Sequence, residues 1–303
     1  MSPGPRRDTP AGRAYRDLQN KARREGRPTD ELLQLYLERL SLSSWAGDLI
    51  LKGGVLLAAY DTRRPTRDVD FAASNLSNDL DAVLSRVRGI LSQPADNGWT
   101  YGEARAETIR EEDEYSGVRV TVPATLTTAR ITFNVDVNVG DPIWPAPTSV
   151  EIPRLLGGSF TVRGYPLAMV LAEKIVTAVQ RGSANTRWRD FADLYLLTRR
   201  HAVESDELAG SIARVSEHRH AAMSPLSVVL DGYPELAQNK WSAWIRRQHL
   251  AERLPLDFAE LLNAVGEFAD PGIKNEIPSR RWMPENSRWR SLSRNLSDGG
   301  NHG

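Results

Sequence analysis

A glycine pair and an aspartate pair stand at the two ends of one short stretch, with three arginines between them: "LKGGVLLAAYDTRRPTRDVDF" (51–71). Asp68 and Asp70 are two apart, so on a strand they share one face while Val69 and Phe71 take the other. Carboxylates that close repel, and both stay ionised only where a cation lies between them or solvent screens them. Mg2+ is the natural cation, because it prefers hard oxygen ligands and is held by one or two carboxylates plus substrate phosphates. Gly53 and Gly54 follow a short apolar run where a strand turns into a helix, and bare N–H groups at a helix start attract phosphate. A later strand, "ARITFNVDVNVGD" (129–141), sets Asn134, Asp136 and Asn138 opposite Ile131, Phe133, Val135, Val137 and Val139. Asp136 can therefore complete a carboxylate trio with Asp68 and Asp70. Together these parts describe a nucleotide-polyphosphate site with magnesium. The plainer reading of the first stretch is a tight strand-to-helix turn beside a strand edge decorated with acids.

A second group of charges stands further along. Two helical patterns, "PLAMVLAEKIVTAVQRG" (166–182) and "TRWRDFADLYLLTRRH" (186–201), are separated by a break at Gly182 to Asn185. Lys174 and Arg181 are seven apart, two turns of one helix, and Asp190 and Asp193 are three apart on the next, so each pair shares a face. A hairpin closed at the break can set these cations and carboxylates against each other and against a triphosphate. An interhelical salt bridge accounts for the same spacing equally well. Trp188, Phe191 and Leu194 read as core.

The elements that must position these groups alternate in type. Residues 1–12, rich in Pro, Gly and Arg, read as a disordered arm. Residues 13–43 read as two helices broken at Gly26-Arg27-Pro28, the second burying Leu32, Leu33, Leu35, Leu37 and Leu40. "DLILK" (48–52) is a short buried strand, "VLLAAY" (55–60) a helix, "RDVDFAA" (67–73) a strand and "NDLDAVLSRVRGILSQ" (78–93) an amphipathic helix. "SGVRVTVPA" (116–124) is a period-two strand. The predicted organisation is an α/β lobe with its N-terminal helices over 13–160, a helical lobe over 161–268, and a polar, basic, tryptophan-spotted tail over 269–303.

Composition narrows the field. The 303 residues carry 39 Lys and Arg against 39 Asp and Glu, so the whole-molecule field gives no argument for a polyanionic partner. Local charge is uneven: residues 1–27 hold eight basic groups and three acids, while residues 101–115 hold six acids and two arginines. Only five of the basic residues are lysine, and Lys52 and Lys174 both fall in the segments above. No cysteine is present, which excludes disulfides and thiolate zinc sites and fits a reducing cytoplasm. The five histidines do not cluster with carboxylates at metal-ligand spacing. No run of eighteen apolar residues argues for a membrane span, and the N-terminus lacks the apolar core of a signal peptide.

Six segments in order, "LLQLYLERLSLS" (32–43), "LKGGVLLAAY" (51–60), "RPTRDVDF" (64–71), "IREEDEYSGVRV" (109–120), "VDVNVGDPI" (135–143) and "AEKIVTAVQRGSANTRWRDFADLYLL" (172–197), resemble the AbiEii toxin family of type IV toxin–antitoxin systems. That family, which includes the mycobacterial MenT toxins, is a branch of the DNA polymerase β nucleotidyltransferase superfamily. The resemblance implies an α+β fold: a polymerase β-like lobe with a mixed sheet and a C-terminal helical lobe. It implies a Mg2+-dependent enzyme that transfers a nucleotide from an NTP with release of pyrophosphate, onto the 3′ end of tRNA in MenT-type members, thereby blocking translation and growth under the control of a cognate antitoxin. Asp68, Asp70 and Asp136 would hold metal, with Asp136 also the base for the attacking hydroxyl. Lys174 would grip the triphosphate and Asp190 would belong to a second catalytic motif, with Lys52, Gly53, Gly54, Thr66, Arg67, Arg181 and Asp193 serving the nucleotide. Gly54 departs from the serine many superfamily members carry, leaving a hydroxyl contact to be supplied elsewhere, with Thr66 a candidate. The protein is expected to be a cytoplasmic monomer. An aminoglycoside-type nucleotidyltransferase would share the metal site and need an acidic acceptor cleft, for which Glu111 to Glu114 are candidates. A non-catalytic RNA-binding module would not need the aspartate trio.

Overall fold

The computed structural model describes residues 28–62, 66, 68–73, 76–93, 100–110, 116–126, 129–154 and 158–292. The expected N-terminal arm and first helix, Arg63, Arg64 and Arg67, the Glu111 to Glu114 run and residues 293–303 lie outside them. The chain packs as two units that meet in sequence at Pro166 and Leu167.

In the first unit, helix α1 (Pro28–Ser41) precedes strand β1 (Leu49–Lys52), a single helical turn α2 (Gly53–Leu56) and a 3-10 turn (Leu57–Tyr60). Strand β2 (Asp68–Ala73), helix α3 (Leu80–Leu91) and strands β3 (Thr100–Tyr101), β4 (Arg105–Arg110), β5 (Ser116–Leu126), β6 (Ala129–Val139), β7 (Thr148–Pro153) and β8 (Ser159–Gly164) follow. The described strands form one mixed sheet, ordered β3-β5-β6-β2-β1-β8-β7 with β4 also on β5. β2 runs parallel to β6 and antiparallel to β1. The expected mixed sheet is therefore present.

Alternation decides which face of this sheet is dry. Val69 and Phe71 on β2, Val118, Val120 and Val122 on β5, and Phe133, Val135 and Val137 on β6 are all buried. Tyr36 of α1 meets Phe133 at 5.9 Å and Phe71 at 6.4 Å, so α1 covers this face. Leu33, Leu37 and Leu40 bury alongside Tyr36 at helical spacing; Leu35 is half-buried instead. The polar residues between the apolar ones are left on the opposite face, and that gathers half-buried Asp68 and Asp70 and buried Asp136 there.

The second unit begins with helix α4 (Leu167–Arg181), a 3-10 turn (Gly182–Ala184) and helix α5 (Trp188–Thr198). The hairpin and its break fall where the sequence places them. A short strand β9 (Val203–Glu204), helices α6 (Ser205–His218), α7 (Leu226–Val229), α8 (Tyr233–Gln248) and α9 (Phe258–Ile273), and strands β10 (Arg280–Met283) and β11 (Arg288–Ser291) complete it. Phe191 and Leu194 are fully buried, and Trp188 stacks on Tyr233 at 6.1 Å, so all three serve the core as expected.

The segment expected to be a polar tail is built differently. α9 continues through Pro271 to Ile273. Pro271 gives up its N–H bond and crowds the carbonyl four residues back, and the helix ends two residues later. Asp270 is buried there and accepts from the N–H groups of Leu226 and Ser227 at 2.6 and 3.2 Å. β10 and β11 then pair as a hairpin because Trp282 and Trp289 stand opposite each other and both pack on Phe268, at 5.0 and 5.3 Å. No described helix is long and apolar enough to cross a membrane.

Candidate active site

The polar face of the first sheet carries an ordered row of charge. The register sets Glu107 opposite Arg119, Arg119 opposite Asp136, Asp136 beside Asp70, and Asp70 opposite Lys52. Residues paired in register project to the same face, so two neighbouring carboxylates sit in the middle with a cation on each side. Arg119 donates Nε to Asp136 Oδ1 at 2.8 Å and an Nη group to Oδ2 at 2.7 Å, a two-pronged bond. That bond to Asp136 holds the Arg119 guanidinium above its ordinary range against the opposing pull of burial, and the charges of Asp68 and Glu107 add to it. Lys52 closes the other end: buried at the end of β1, it pairs with Asp141 and lies 5.7 Å over the Tyr165 ring.

Two residues along the strands, on the same face, Thr121, Asn134 and Asp68 line up in register. Thr121 Oγ1 lies 3.1 Å from Asn134 Oδ1, and Asn134 Nδ2 donates to Asp68 Oδ1 at 2.9 Å. Among the described residues, it is an amide that holds Asp68 by hydrogen bond. Thr66 turns its hydroxyl back to the Asp68 carbonyl at 3.2 Å.

The glycine turn explains how Asp70 is held. Gly53 has φ 67°, a region that suits glycine, and a Cβ added there would stand 1.9 Å from Asp70 Oδ2. The carboxylate rests on bare backbone that any side chain would occupy. Gly54 is buried in the same turn. Gly53→Ala is therefore expected to lose about 1–3 kcal/mol of stability and to displace Asp70. Thermal melting and turnover would check this, and wild-type values for both would contradict it.

The residues suit Mg2+ as two oxygen donors on one strand face, with Asp136 beside them and substrate phosphates still to add. Among the described residues no three carboxylates or histidines form a ready-made metal cage. Asp136 already carries Arg119, which takes one acceptor position on each oxygen and leaves the others.

The second unit holds its own ion cluster. Lys174 Nζ lies 2.9 Å from Asp190 Oδ1 and 2.7 Å from Asp193 Oδ2, and Arg187 Nε lies 2.7 Å from Asp190 Oδ2. The spacing argument for Lys174, Asp190 and Asp193 thus holds, in the form of the interhelical salt bridge. Arg187 is a partner that spacing did not assign, and Arg181 ends the same helix as Lys174. Burial pushes the Asp190 carboxyl up, but Lys174 and Arg187 outweigh it and hold the group at about 2.

Because that value lies below about 3.9, the unfolded chain takes up the proton first. The stabilisation, about 2 kcal/mol, is complete above about pH 4 and lost as pH falls towards 2. Melting curves of Asp190→Asn should show a shallower loss of stability across that window than the wild type; identical slopes would contradict the assignment.

Sequence spacing gave Asn134 its place on the polar face but no role, and it assigned neither Arg119 nor Asp141, although "GVRVTV" shows Arg119 and Thr121 sharing the polar face of a period-two strand.

A glycine turn, an Asp-x-Asp strand and a parallel neighbour bearing a third aspartate thus come together on one face of a mixed sheet. The chain belongs to the AbiEii family: residues 35–285 match the family described as "Nucleotidyl transferase AbiEii toxin, Type IV TA system". It is a nucleotidyltransferase of a toxin–antitoxin system, and that family implies an antitoxin partner and an NTP substrate. Among solved structures, a candidate nucleotidyltransferase from H. pylori is 14% identical, with 82% of this chain and 96% of that chain covered at a TM-score of 0.49. JHP933 from Helicobacter pylori is 14% identical over 82% of this chain and 93% of that chain, also at 0.49. E. coli MS115-1 CdnC, solved with ATP, is 14% identical over 86% of each chain at 0.23. No curated protein matches the chain.

Proposed function

We propose that this enzyme is Mg2+-dependent and transfers a nucleotide from an NTP to an RNA acceptor, the 3′ end of tRNA, and that this blocks translation until the antitoxin intervenes. The observation that carries the reading is the charge row: Asp70 and Asp136 side by side, Asp68 one step away, and Lys52 and Arg119 on the flanks. Mg2+ held by Asp68 and Asp70 would neutralise charge on the polyphosphate and on the departing pyrophosphate.

The chain's own residues do the rest. Gly53 and Gly54 offer backbone donors to phosphate, Lys52 adds positive charge at the end of β1, and Arg67 would be a further cation for the nucleotide. Thr66 offers a hydroxyl in place of the serine that Gly54 replaces. The acceptor hydroxyl oxygen bonds to the α-phosphorus while the bond from that phosphorus to the bridging oxygen breaks. Pyrophosphate leaves with the bridging oxygen, and the hydroxyl proton passes to Asp136, whose carboxylate Arg119 keeps oriented. Lys174 and Arg181 would serve the triphosphate, with Asp190 and Asp193 fixing the Lys174 ammonium.

The acceptor is tested by incubating the protein with each α-labelled NTP and either total tRNA or an aminoglycoside. Label on tRNA is expected. Label on the cationic drug alone would replace this reading with small-molecule modification.

A further inference from the structure

The hairpin of β10 and β11 places charge where stability alone would not. Its register sets Arg281 opposite Arg290 and Met283 opposite Arg288. Alternation therefore gathers Arg281, Arg288 and Arg290 around Met283 on one face, while Trp282 and Trp289 take the other. Like charges directly opposite each other weaken a strand pair. Arg281 has Glu204 at 3.4 Å; Arg288 and Arg290 make no ion pair with a described residue, and all three arginines are exposed. Among the described strands β11 is the edge of the order β11-β10-β9. Edge strands do carry charge to prevent unwanted pairing. That need would be met by charges on β11 of either sign, and it does not explain an arginine on the central strand facing another.

We propose that this face docks the phosphate backbone of RNA, an inference that rests on the reading of RNA as the acceptor. Guanidinium groups match phosphate with two-pronged bonds, and an added polyanion relieves the repulsion between Arg281 and Arg290. A molecule of zero net charge needs such a local concentration of cations to hold RNA. A protein partner would call for a buried apolar anchor, and this face offers only half-buried Met283. β11 lies beyond residues 35–285, so the surface extends past the segment that matches the family.

The test uses the full chain carrying Arg281→Gln, Arg288→Gln and Arg290→Gln together, with fluorescently labelled total tRNA titrated between about 50 and about 200 mM salt. The triple variant should bind about tenfold to a hundredfold more weakly at the low end, and its plot of log affinity against log salt should be shallower by about 2 to 3. Melting temperature should be unchanged or slightly higher, because the repulsion between Arg281 and Arg290 is removed, and NTP affinity should be unchanged. Should the triple variant fail to fold, Arg290→Gln alone is expected to make the slope shallower by about 1. Equal affinity and equal slope in variant and wild type would overturn the docking face while leaving the acceptor assignment intact. A wild-type protein that binds no tRNA would sink both. Loss of binding to polyglutamate without loss of tRNA binding would assign the face to an acidic protein and overturn the proposal.

Discussion

Asp70→Ala is expected to reduce nucleotide transfer by roughly a thousandfold, about 4 kcal/mol of transition-state stabilisation, with the fold intact. The size follows from the place of Asp70 in the charge row. It is the carboxylate shared by the strand pair Asp68/Asp70 and the cross-strand pair Asp70/Asp136. It also rests against the glycine turn that would meet phosphate. The fold should survive because Asp70 is only half-buried and its removal leaves one fewer negative charge beside Asp136. A variant that melts like the wild type and turns over at the wild-type rate in saturating Mg2+ would remove Asp70 from the metal site.

Lys174→Met should have two separable effects. Lys174 lies between two buried carboxylates, and removing one partner of a buried ion cluster costs about 3–5 kcal/mol, roughly 10 °C in melting temperature for a unit of this size. The lost ammonium should also weaken NTP binding. Combining Lys174→Met with Asp193→Asn removes the stranded charge, while Asp190 keeps Arg187. The double variant should regain most of the melting temperature and none of the nucleotide affinity. If calorimetry shows wild-type NTP affinity in the double variant, Lys174 is a structural cation and nothing more.

What could be read from the residues was what depends on local spacing. Alternation on β2 and β6 placed Asp68, Asp70 and Asp136 on polar faces, and helical spacing set Lys174 against Asp190 and Asp193 across the α4–α5 hairpin. What could not be read was which strands lie side by side. β2 is joined to β6 in parallel although some sixty residues separate them, and no periodicity encodes that neighbour. The Arg119–Asp136 and Asn134–Asp68 bonds exist only once that register is set. Lys52 was placed with the nucleotide by its position before the glycines; its pairing with Asp141 depends on the loop after β6 returning to the end of β1. The β10–β11 hairpin was hidden for a different reason. Its strands are mostly arginine and tryptophan with a turn rich in Pro, Asn and Ser, so composition suggested a tail, and the pairing of Trp282 with Trp289 exists only once the two strands are in register.

The reaction proposed at the Asp68/Asp70 face is transfer of a nucleotide, not of a phosphoryl group, onto RNA. It is tested most directly by giving wild-type protein and Asp70→Ala the same NTP labelled at either the α- or the γ-phosphate, with tRNA and Mg2+, and measuring label on RNA together with pyrophosphate released. Label from the α-position, one pyrophosphate per nucleotide added, none from the γ-position, and loss of both products in Asp70→Ala is the predicted result. Label arriving from the γ-position, or α-label transferred equally well by Asp70→Ala, would contradict the account.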